Sequence, residues 1–222
     1  MALTTPTSPP GQENSRSRRS QEERRAETRE RLLEATVECL AELGWAGTST
    51  TEVARRAGVS RGAQQHHYRT KRELVAAAVE HLLQRQRAEF ERAFAELPSR
   101  QRNIEGALDL LWSIYRERTF TALLELAVAG RTDETIRRMC ADINDRVAQI
   151  TIETFERLFP VAASREVMPT ALRSTLALLA GLALQHGLDD DRHGHQAAVL
   201  AQWKTIGRRL VPEAPVDPGG TP

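Results

Sequence analysis

The chain has 222 residues and a formal net charge of +1, with 40% apolar and 27% charged residues. This is the composition of an ordinary globular protein with one larger domain or two small ones. A net charge so close to zero excludes a strongly positive surface over the whole protein. Any surface that binds nucleic acid therefore has to come from local clustering of basic residues.

The first 20 residues are rich in Pro, Ser, Thr and Arg and have no apolar periodicity, which predicts a disordered basic arm. From about Gln21 the apolar residues recur at helical spacing until Gly44 and Gly47 end this first helix. Two short helices are predicted next, at about 50–57 and 61–67. Residues 21–70 therefore form a small N-terminal domain.

Residues 71–211 continue the helical pattern, and breaks at Pro98, Gly130 and Pro160 divide it. No stretch alternates with the period of a strand, and no Asn-Gly or Asp-Gly turn occurs. We predict an all-α fold of about nine helices, with a three-helix N-terminal part and a larger C-terminal bundle. The Pro- and Gly-rich residues 212–222 predict a disordered tail.

The longest apolar run, over residues 176–184, is too short for a bilayer span, which requires about 20 residues. We therefore expect no membrane partner and a cytoplasmic protein.

The most informative segment spans residues 49–63. Ser49 followed by Glu52 predicts a capping box, and Ser60 is placed to cap the next helix. Gly58 supplies the backbone freedom that a tight turn between two helices needs. The pattern predicts a helix-turn-helix, although steep helix pairs also occur in proteins that do not bind DNA.

The second helix of this pair presents Arg61, Gly62 and Gln65 near its N-terminal end, the end that enters the major groove in a helix-turn-helix. Arg pairs with guanine and Gln with adenine, each through two hydrogen bonds. The local excess of basic residues suits contact with phosphates, and it comprises Arg55, Arg56, Arg61, Arg69, Lys71 and Arg72.

This segment resembles the DNA-binding domain of the tetracycline-repressor (TetR) family of bacterial regulators. The resemblance rests on Thr50-Thr51, on Ala57-Gly58-Val59-Ser60 with Gly62, and on His67-Tyr68 followed by Lys71. It covers about residues 28–75, and the remainder matches only in the number and lengths of its helices. The DNA-binding residues that it implies are Thr50, Thr51, Arg61, Gly62, Ala63, Gln65, His67, Tyr68 and Lys71.

The chain departs from the family pattern at Gln64, where an apolar residue is usual, and at Gln65, where an aromatic residue is usual. This departure leaves open which side chain reads which base. His66 and His67 are adjacent, and adjacent helical residues point about 100° apart, so we expect no metal site there. We interpret the Asp- and His-rich segment over 186–195 as a solvated loop.

The family resemblance also implies an effector pocket among the helices that follow the DNA-binding domain. Such a cavity between helices is the usual place for a small ligand, and its apolar and aromatic lining implies a hydrophobic effector. Each residue taken singly fits an ordinary core position equally well. The predicted pocket residues are Trp112, Tyr115, Phe120, Leu123, Leu124, Met139, Ile143 and Val147.

The penultimate helix is apolar on almost all sides around residues 176–182, and such a helix has to be covered all round. A partner subunit is the simplest cover, and the two-fold symmetry of a homodimer matches a palindromic operator. The predicted interface residues are Leu172, Leu176, Leu179, Leu182, Val199, Trp203, Ile206 and Leu210.

Together these observations predict a DNA-binding transcriptional regulator. We expect a repressor that binds a palindromic double-stranded operator as a dimer and is released by a small hydrophobic effector. The alternative is a helical ligand-binding or scaffold protein without a DNA function. We expect no enzyme, no metal and no cofactor, because the sequence shows no nucleophile with a base and no firm metal-ligand spacing.

Overall fold

The computed structural model describes residues 10–186 and 194–211, and from residue 21 onward it describes every side chain in these ranges except that of Arg118. Within them the protein consists of helices and connecting turns with no strand, so the all-α prediction is confirmed. The helices are α1 (Pro10–Gly47), α2 (Thr50–Arg56), α3 (Arg61–His67), α4 (Lys71–Glu96), α5 (Ile104–Tyr115), α6 (Arg118–Gly130), α7 (Glu134–Leu158), α8 (Pro160–Ala163), α9 (Met168–His186) and α10 (His195–Leu210).

The predicted spans of α2 and α3 and the predicted breaks at Pro98, Gly130 and Pro160 are reproduced to within about two residues, which is the ordinary uncertainty of a helix end. The short helix α8 is additional. Pro160 ends the pattern of α7 as predicted, but it also starts a new turn, because proline fits the first position of a helix, where no amide donor is needed.

Helix α1 begins at Pro10, so it runs through residues 10–20, for which the sequence predicts disorder. Adding a residue to an existing helix fixes one pair of dihedral angles for one hydrogen bond, and this requires no apolar face. Residues 1–9 of the predicted arm, residues 187–193 of the predicted loop and the predicted tail over 212–222 lie outside the described residues.

The first three helices and the start of α4 share one hydrophobic core. Gly58 forms the turn between α2 and α3 in the left-handed region, with φ at 64°, as the sequence predicts. The hydroxyls of Ser49 and Ser60 cap α2 and α3, and each accepts a backbone N–H at 3.1 Å. The buried core residues are Leu32, Leu33, Ala35, Cys39, Val53, Ala57, Tyr68, Leu74 and Ala78.

Gln64 is a buried polar residue of this region and is only 3% exposed. Its Nε2 donates a hydrogen bond of 2.8 Å to the carbonyl oxygen of Tyr68, the residue that ends α3. The last carbonyls of a helix lack partners within the helix, so this amide satisfies one of them. The Gln at this position therefore closes the end of α3 and does not face solvent.

A second hydrophobic cluster joins the N-terminal domain to the bundle. Helix α6 packs along α1, and α4 packs on both α1 and α7. Gly44 has φ at 63° and bends the end of α1, and a Cβ added there would lie 2.6 Å from Oε2 of Glu125 on α6. The buried members of this cluster, called here the inter-domain cluster, are Leu40, Val75, Val79, Leu83, Ala122, Leu126 and Ile150.

We predict that Gln64→Ala lowers the free energy of unfolding by about 1 to 3 kcal/mol, because it leaves the Tyr68 carbonyl unpaired in the core. Gln65→Ala is the matched control, since Gln65 is the next residue and is exposed, and it should change stability by less than about 0.5 kcal/mol. Urea denaturation of both variants measures the difference, and equal stabilities would contradict the assigned role of Gln64.

Candidate nucleic-acid interface and internal cavity

The exposed side of α3 carries Arg61, Gly62, Gln65 and His66. Positions four apart on a helix lie on the same side, so Arg61 with Gln65 and Gly62 with His66 form two neighbouring rows of one exposed surface. Three of them are among the predicted DNA-binding residues, and Thr51, another of that set, is exposed on α2. The predicted residues Thr50, Ala63 and His67 are half-buried at the edges of this surface.

His66 is a member of this face that the sequence interpretation left out. The guanidinium of Arg25 on α1 donates to Nε2 of His66 at 2.8 Å, which requires that this nitrogen carry no proton. Its spacing of four residues from Gly62 places it on the same side of α3, and this is the signal in the sequence that predicts its exposure. The contact brings a basic residue of α1 to the last turn of α3.

The surroundings of His67 favour its uncharged form. Burial lowers the pKa of its imidazole, and the neighbouring His66, Arg25 and Arg29 lower it further. It can therefore offer a neutral N–H to a phosphate, but it adds no positive charge to the surface.

Two of the predicted DNA-binding residues, Tyr68 and Lys71, turn inward. The ring of Tyr68 is buried in the core of the first three helices, and its hydroxyl accepts a hydrogen bond of 3.1 Å from Nε of Arg29. The Lys71 ammonium lies 3.9 Å from the centroid of the Trp45 ring and donates to the Trp45 carbonyl oxygen. The contact with the Trp45 carbonyl closes the end of α1, and burial lowers the pKa of Lys71.

Arg55 and Arg56 are engaged by acidic partners. The Glu52 carboxylate binds Arg55 at 2.7 Å and Arg56 at 2.9 Å, and Arg56 also binds Glu42 of α1 at 2.6 Å. These hydrogen bonds hold the pKa of Glu52 at about 2, against an ordinary value of 4.5. Arg56 thus ties α2 to α1, which removes it from the predicted set of phosphate contacts.

Three basic side chains of the predicted cluster are exposed and have no ion-pair partner within residues 21–186 and 194–211: Arg61, Arg69 and Arg72. They lie at the start of α3, just after its end and at the start of α4. The positive charge available to phosphates is therefore concentrated around α3, although the net charge of the whole chain is near zero.

A cavity of about 540 Å³ lies within the C-terminal bundle, between α4, α5, α6, α7 and α9. Its wall contains six of the eight predicted pocket residues, namely Tyr115, Phe120, Leu123, Leu124, Ile143 and Val147. Trp112 lies outside the wall because it packs with Leu179 and Leu200 between α5, α9 and α10. Met139 also lies outside it, against the inter-domain cluster.

The chain itself covers most of the apolar surface predicted for the dimer interface. Leu172 and Leu176 line the cavity, and Leu179 and Leu182 are buried against Leu200 of α10.

The predicted interface residues of α10 are also covered mostly by the chain itself. The Trp203 indole donates to the Thr175 hydroxyl at 3.1 Å, Leu210 packs against the end of α7, and Ile206 is half-buried. Only Val199 of the predicted interface residues is exposed. Apolar residues all round α9 thus reflect its position between neighbouring helices of one chain.

The sequence profile of "Bacterial regulatory proteins, tetR family" matches residues 32–78, which include α2 and α3. An HTH-type transcriptional regulator of Mycobacterium tuberculosis is 33% identical over 192 residues, and the match covers 82% of this chain and 97% of the relative. The protein belongs to the tetR family of bacterial regulatory proteins. It is therefore a DNA-binding transcriptional regulator, as the helix-turn-helix predicts.

Another transcriptional regulator and two solved structures are also similar to this chain. CymR of Pseudomonas putida is 37% identical over 120 residues, which cover 54% of this chain and 59% of CymR. The solved structure of a Rhodococcus transcriptional regulator has a TM-score of 0.60 at 24% identity and covers 84% of this chain and 99% of that one. Bacillus subtilis FadR has a TM-score of 0.58 at 14% identity and covers 83% of this chain and 98% of FadR. These two structures confirm the fold.

None of the helices in the described part of this TetR-family chain combines the length and apolar character that crossing a bilayer requires.

We predict that Glu52 gives the protein a specific acid sensitivity. Because the pKa of Glu52 in the folded protein is lowered to about 2, its ionised carboxylate stabilises the fold above pH 4.5. This stabilisation is lost as the pH falls from 4.5 toward 2. The difference in free energy of unfolding between the wild type and Glu52→Gln should therefore be constant above pH 4.5 and shrink below pH 4.5.

Chemical denaturation across this pH range measures the gap. The control is Glu96→Gln, because Glu96 is exposed at the end of α4 and forms no ion pair with a described residue. A gap for Glu52→Gln that does not change with pH would contradict the role given to its two arginine contacts.

Proposed function

We propose that this TetR-family protein acts in the cytoplasm as a repressor that binds a palindromic operator as a homodimer. Each α3 enters a major groove, and a small hydrophobic molecule in the internal cavity releases the DNA. The observation that carries this proposal is that one set of side chains both lines the cavity and packs the inter-domain cluster.

The proposed DNA contacts follow from exposure and charge. Arg61, Gln65 and His66 face outward on α3, and these side chains offer the hydrogen-bonding groups that base edges recognise. Arg69 and Arg72 are exposed beside the end of α3 and are suited to phosphate contact. Lys71 and Tyr68 support this surface from within.

The proposed response to a ligand runs through α4, α6 and α7. Leu83, Leu126 and Ile150 belong to the inter-domain cluster and also form part of the cavity wall. A ligand that displaces these side chains also displaces the packing beneath α1 and α4, which carry the helix-turn-helix. Interfaces packed in this way tend to switch between discrete arrangements, and such a switch changes the spacing of the two α3 helices in a dimer.

Bound ligands in two structures of the same fold support a ligand-binding role for the bundle. Bacillus subtilis FadR was crystallised in complex with stearoyl-CoA, and the multidrug binding protein EbrR in complex with imidazole. The cavity of this chain has a size suited to a small molecule, and most of its wall is apolar.

The proposed dimer surface is the side of α9 and α10 that the chain leaves uncovered. Ala177, Gly181 and Leu184 follow each other at helical spacing on α9 and are exposed, and Val199 is exposed on α10. This surface replaces the predicted set of Leu172, Leu176, Leu179, Leu182, Trp203, Ile206 and Leu210.

We predict that selection from a random DNA pool recovers a palindromic site, and that two arginine variants affect its binding differently. Arg61→Ala should change the preferred base at one position, at a loss of about 1 to 3 kcal/mol on the selected site. Arg72→Ala should weaken all sites alike and reduce the slope of log affinity against log salt by about 1.

Arg100→Ala is the control, because Arg100 is exposed on the turn between α4 and α5. Fluorescence anisotropy over a range of salt concentrations measures all three variants. Failure of the wild type to enrich any DNA sequence would contradict the DNA-binding proposal.

We predict that Gly181→Glu converts the dimer to a monomer, because it places a charge in the centre of the proposed apolar surface. A Cβ at Gly181 meets no atom within 4 Å, so the monomer itself accommodates the substitution. Ala141→Glu on the exposed side of α7 is the charge-matched control. Sedimentation velocity distinguishes the two states, and a Gly181→Glu variant that remains dimeric would contradict this interface.

A further inference from the structure

The wall of the cavity contains a buried hydroxyl without a partner. Thr154 of α7 is 7% exposed, lines the cavity, and has no hydrogen bond from its Oγ1 within the described part of the chain. An unpaired buried hydroxyl destabilises a protein, whereas one that meets a ligand contributes to binding.

A second hydroxyl, that of Tyr115, also lacks a hydrogen-bond partner among the described residues, and Tyr115 lines the same cavity. Its ring packs against Phe120 with 4.9 Å between the centroids. Burial raises the pKa of this phenol to about 12, so it stays protonated and can donate to a ligand oxygen.

The residues packed around the two hydroxyls associate them with opposite ends of α5. Tyr115 is the last residue of α5 and packs near Leu179 and Leu182 of α9. Thr154 precedes Phe155, which packs in one cluster with Ile104 at the other end of α5. A helix rises about 1.5 Å per residue, so the length of α5 from Ile104 to Tyr115 is roughly 16 Å.

The charges around the cavity exclude a cationic ligand. No Asp or Glu is among the described residues that line it. The two arginines of the wall do not offer a buried counter-ion to an anionic ligand either. Arg87 is already engaged by Glu91 at 3.0 Å and by Glu153 at 2.8 Å, and Arg173 is exposed to solvent. A buried ammonium group would therefore lose its water without gaining a counter-ion.

We propose that the cavity binds an uncharged, elongated and mostly apolar molecule with an oxygen near each end. Tyr115 donates a hydrogen bond to one oxygen, and Thr154 hydrogen-bonds to the other. Long-chain diols, hydroxy-ketones and hydroxy-esters have this chemistry. The inference rests on the proposed function only in taking this cavity as the effector site.

Three probes that share a ten-carbon hydrocarbon chain test this proposal: a decanediol with terminal hydroxyls, decyl alcohol and a decanediamine with terminal amines. Titration calorimetry on the full chain without DNA measures their affinities. We expect the diol to bind about three- to tenfold more tightly than the alcohol, since one further hydrogen bond contributes about 0.5 to 1.5 kcal/mol. The diamine should bind most weakly, and a diamine that binds as tightly as the diol would overturn the proposal.

Two substitutions that remove only a hydroxyl locate the contacts. Thr154→Val and Tyr115→Phe should each lower the affinity for the diol about three- to tenfold, and Thr154→Ser should retain it. Thr154→Val should also leave the ligand-free melting temperature unchanged or raise it, because it removes an unpaired buried hydroxyl. A merely structural role would lower that temperature, and full diol affinity in both variants would overturn the proposal.

Binding of the selected DNA separates this inference from the proposed function. Ligand-free Thr154→Val and Tyr115→Phe should bind that DNA as the wild type does. A wild type that binds DNA but none of the probes overturns the inference alone. A wild type that binds the diol but selects no DNA overturns the proposed function alone.

Discussion

The inter-domain cluster is the packing on which the rest of the structure depends. Helix α4 takes part in two cores at once: Leu74 and Ala78 face the first three helices, whereas Val75, Val79 and Leu83 face α6 and α7. Neighbouring positions on a helix point in different directions, so one rigid element carries both contacts. The core that holds the helix-turn-helix therefore shares α4 with the bundle beneath it.

The same arrangement explains why a cavity is tolerated in this bundle. Truncating a well-packed core residue typically destabilises a protein by about 2 to 5 kcal/mol, and a cavity of about 540 Å³ in the bundle likewise leaves apolar side chains without packing partners. A ligand that fills this space regains the contacts. Because Leu126 and Ile150 touch both the space and the inter-domain cluster, that gain depends on how α1 and α4 are held.

The sequence predicted the features that depend on local patterns. Helix spans follow apolar spacing, and the caps at Ser49 and Ser60 and the turn at Gly58 are determined by a few adjacent residues. The sequence did not predict side-chain contacts between residues that are distant in the chain. Lys71 meets Trp45 and Arg56 meets Glu42, and no spacing rule reveals such contacts.

Covalent occupation of the cavity tests the coupling most directly. Cys140 lines the cavity, whereas Cys39 is fully buried in the N-terminal core, so a decyl methanethiosulfonate reagent can tether an apolar chain at Cys140. The measurement is the affinity for the selected operator before and after labelling, with Cys140→Ser treated identically. We predict a loss of about tenfold or more on labelling, within the usual range of allosteric coupling. An unchanged affinity in the fully labelled protein would contradict the account.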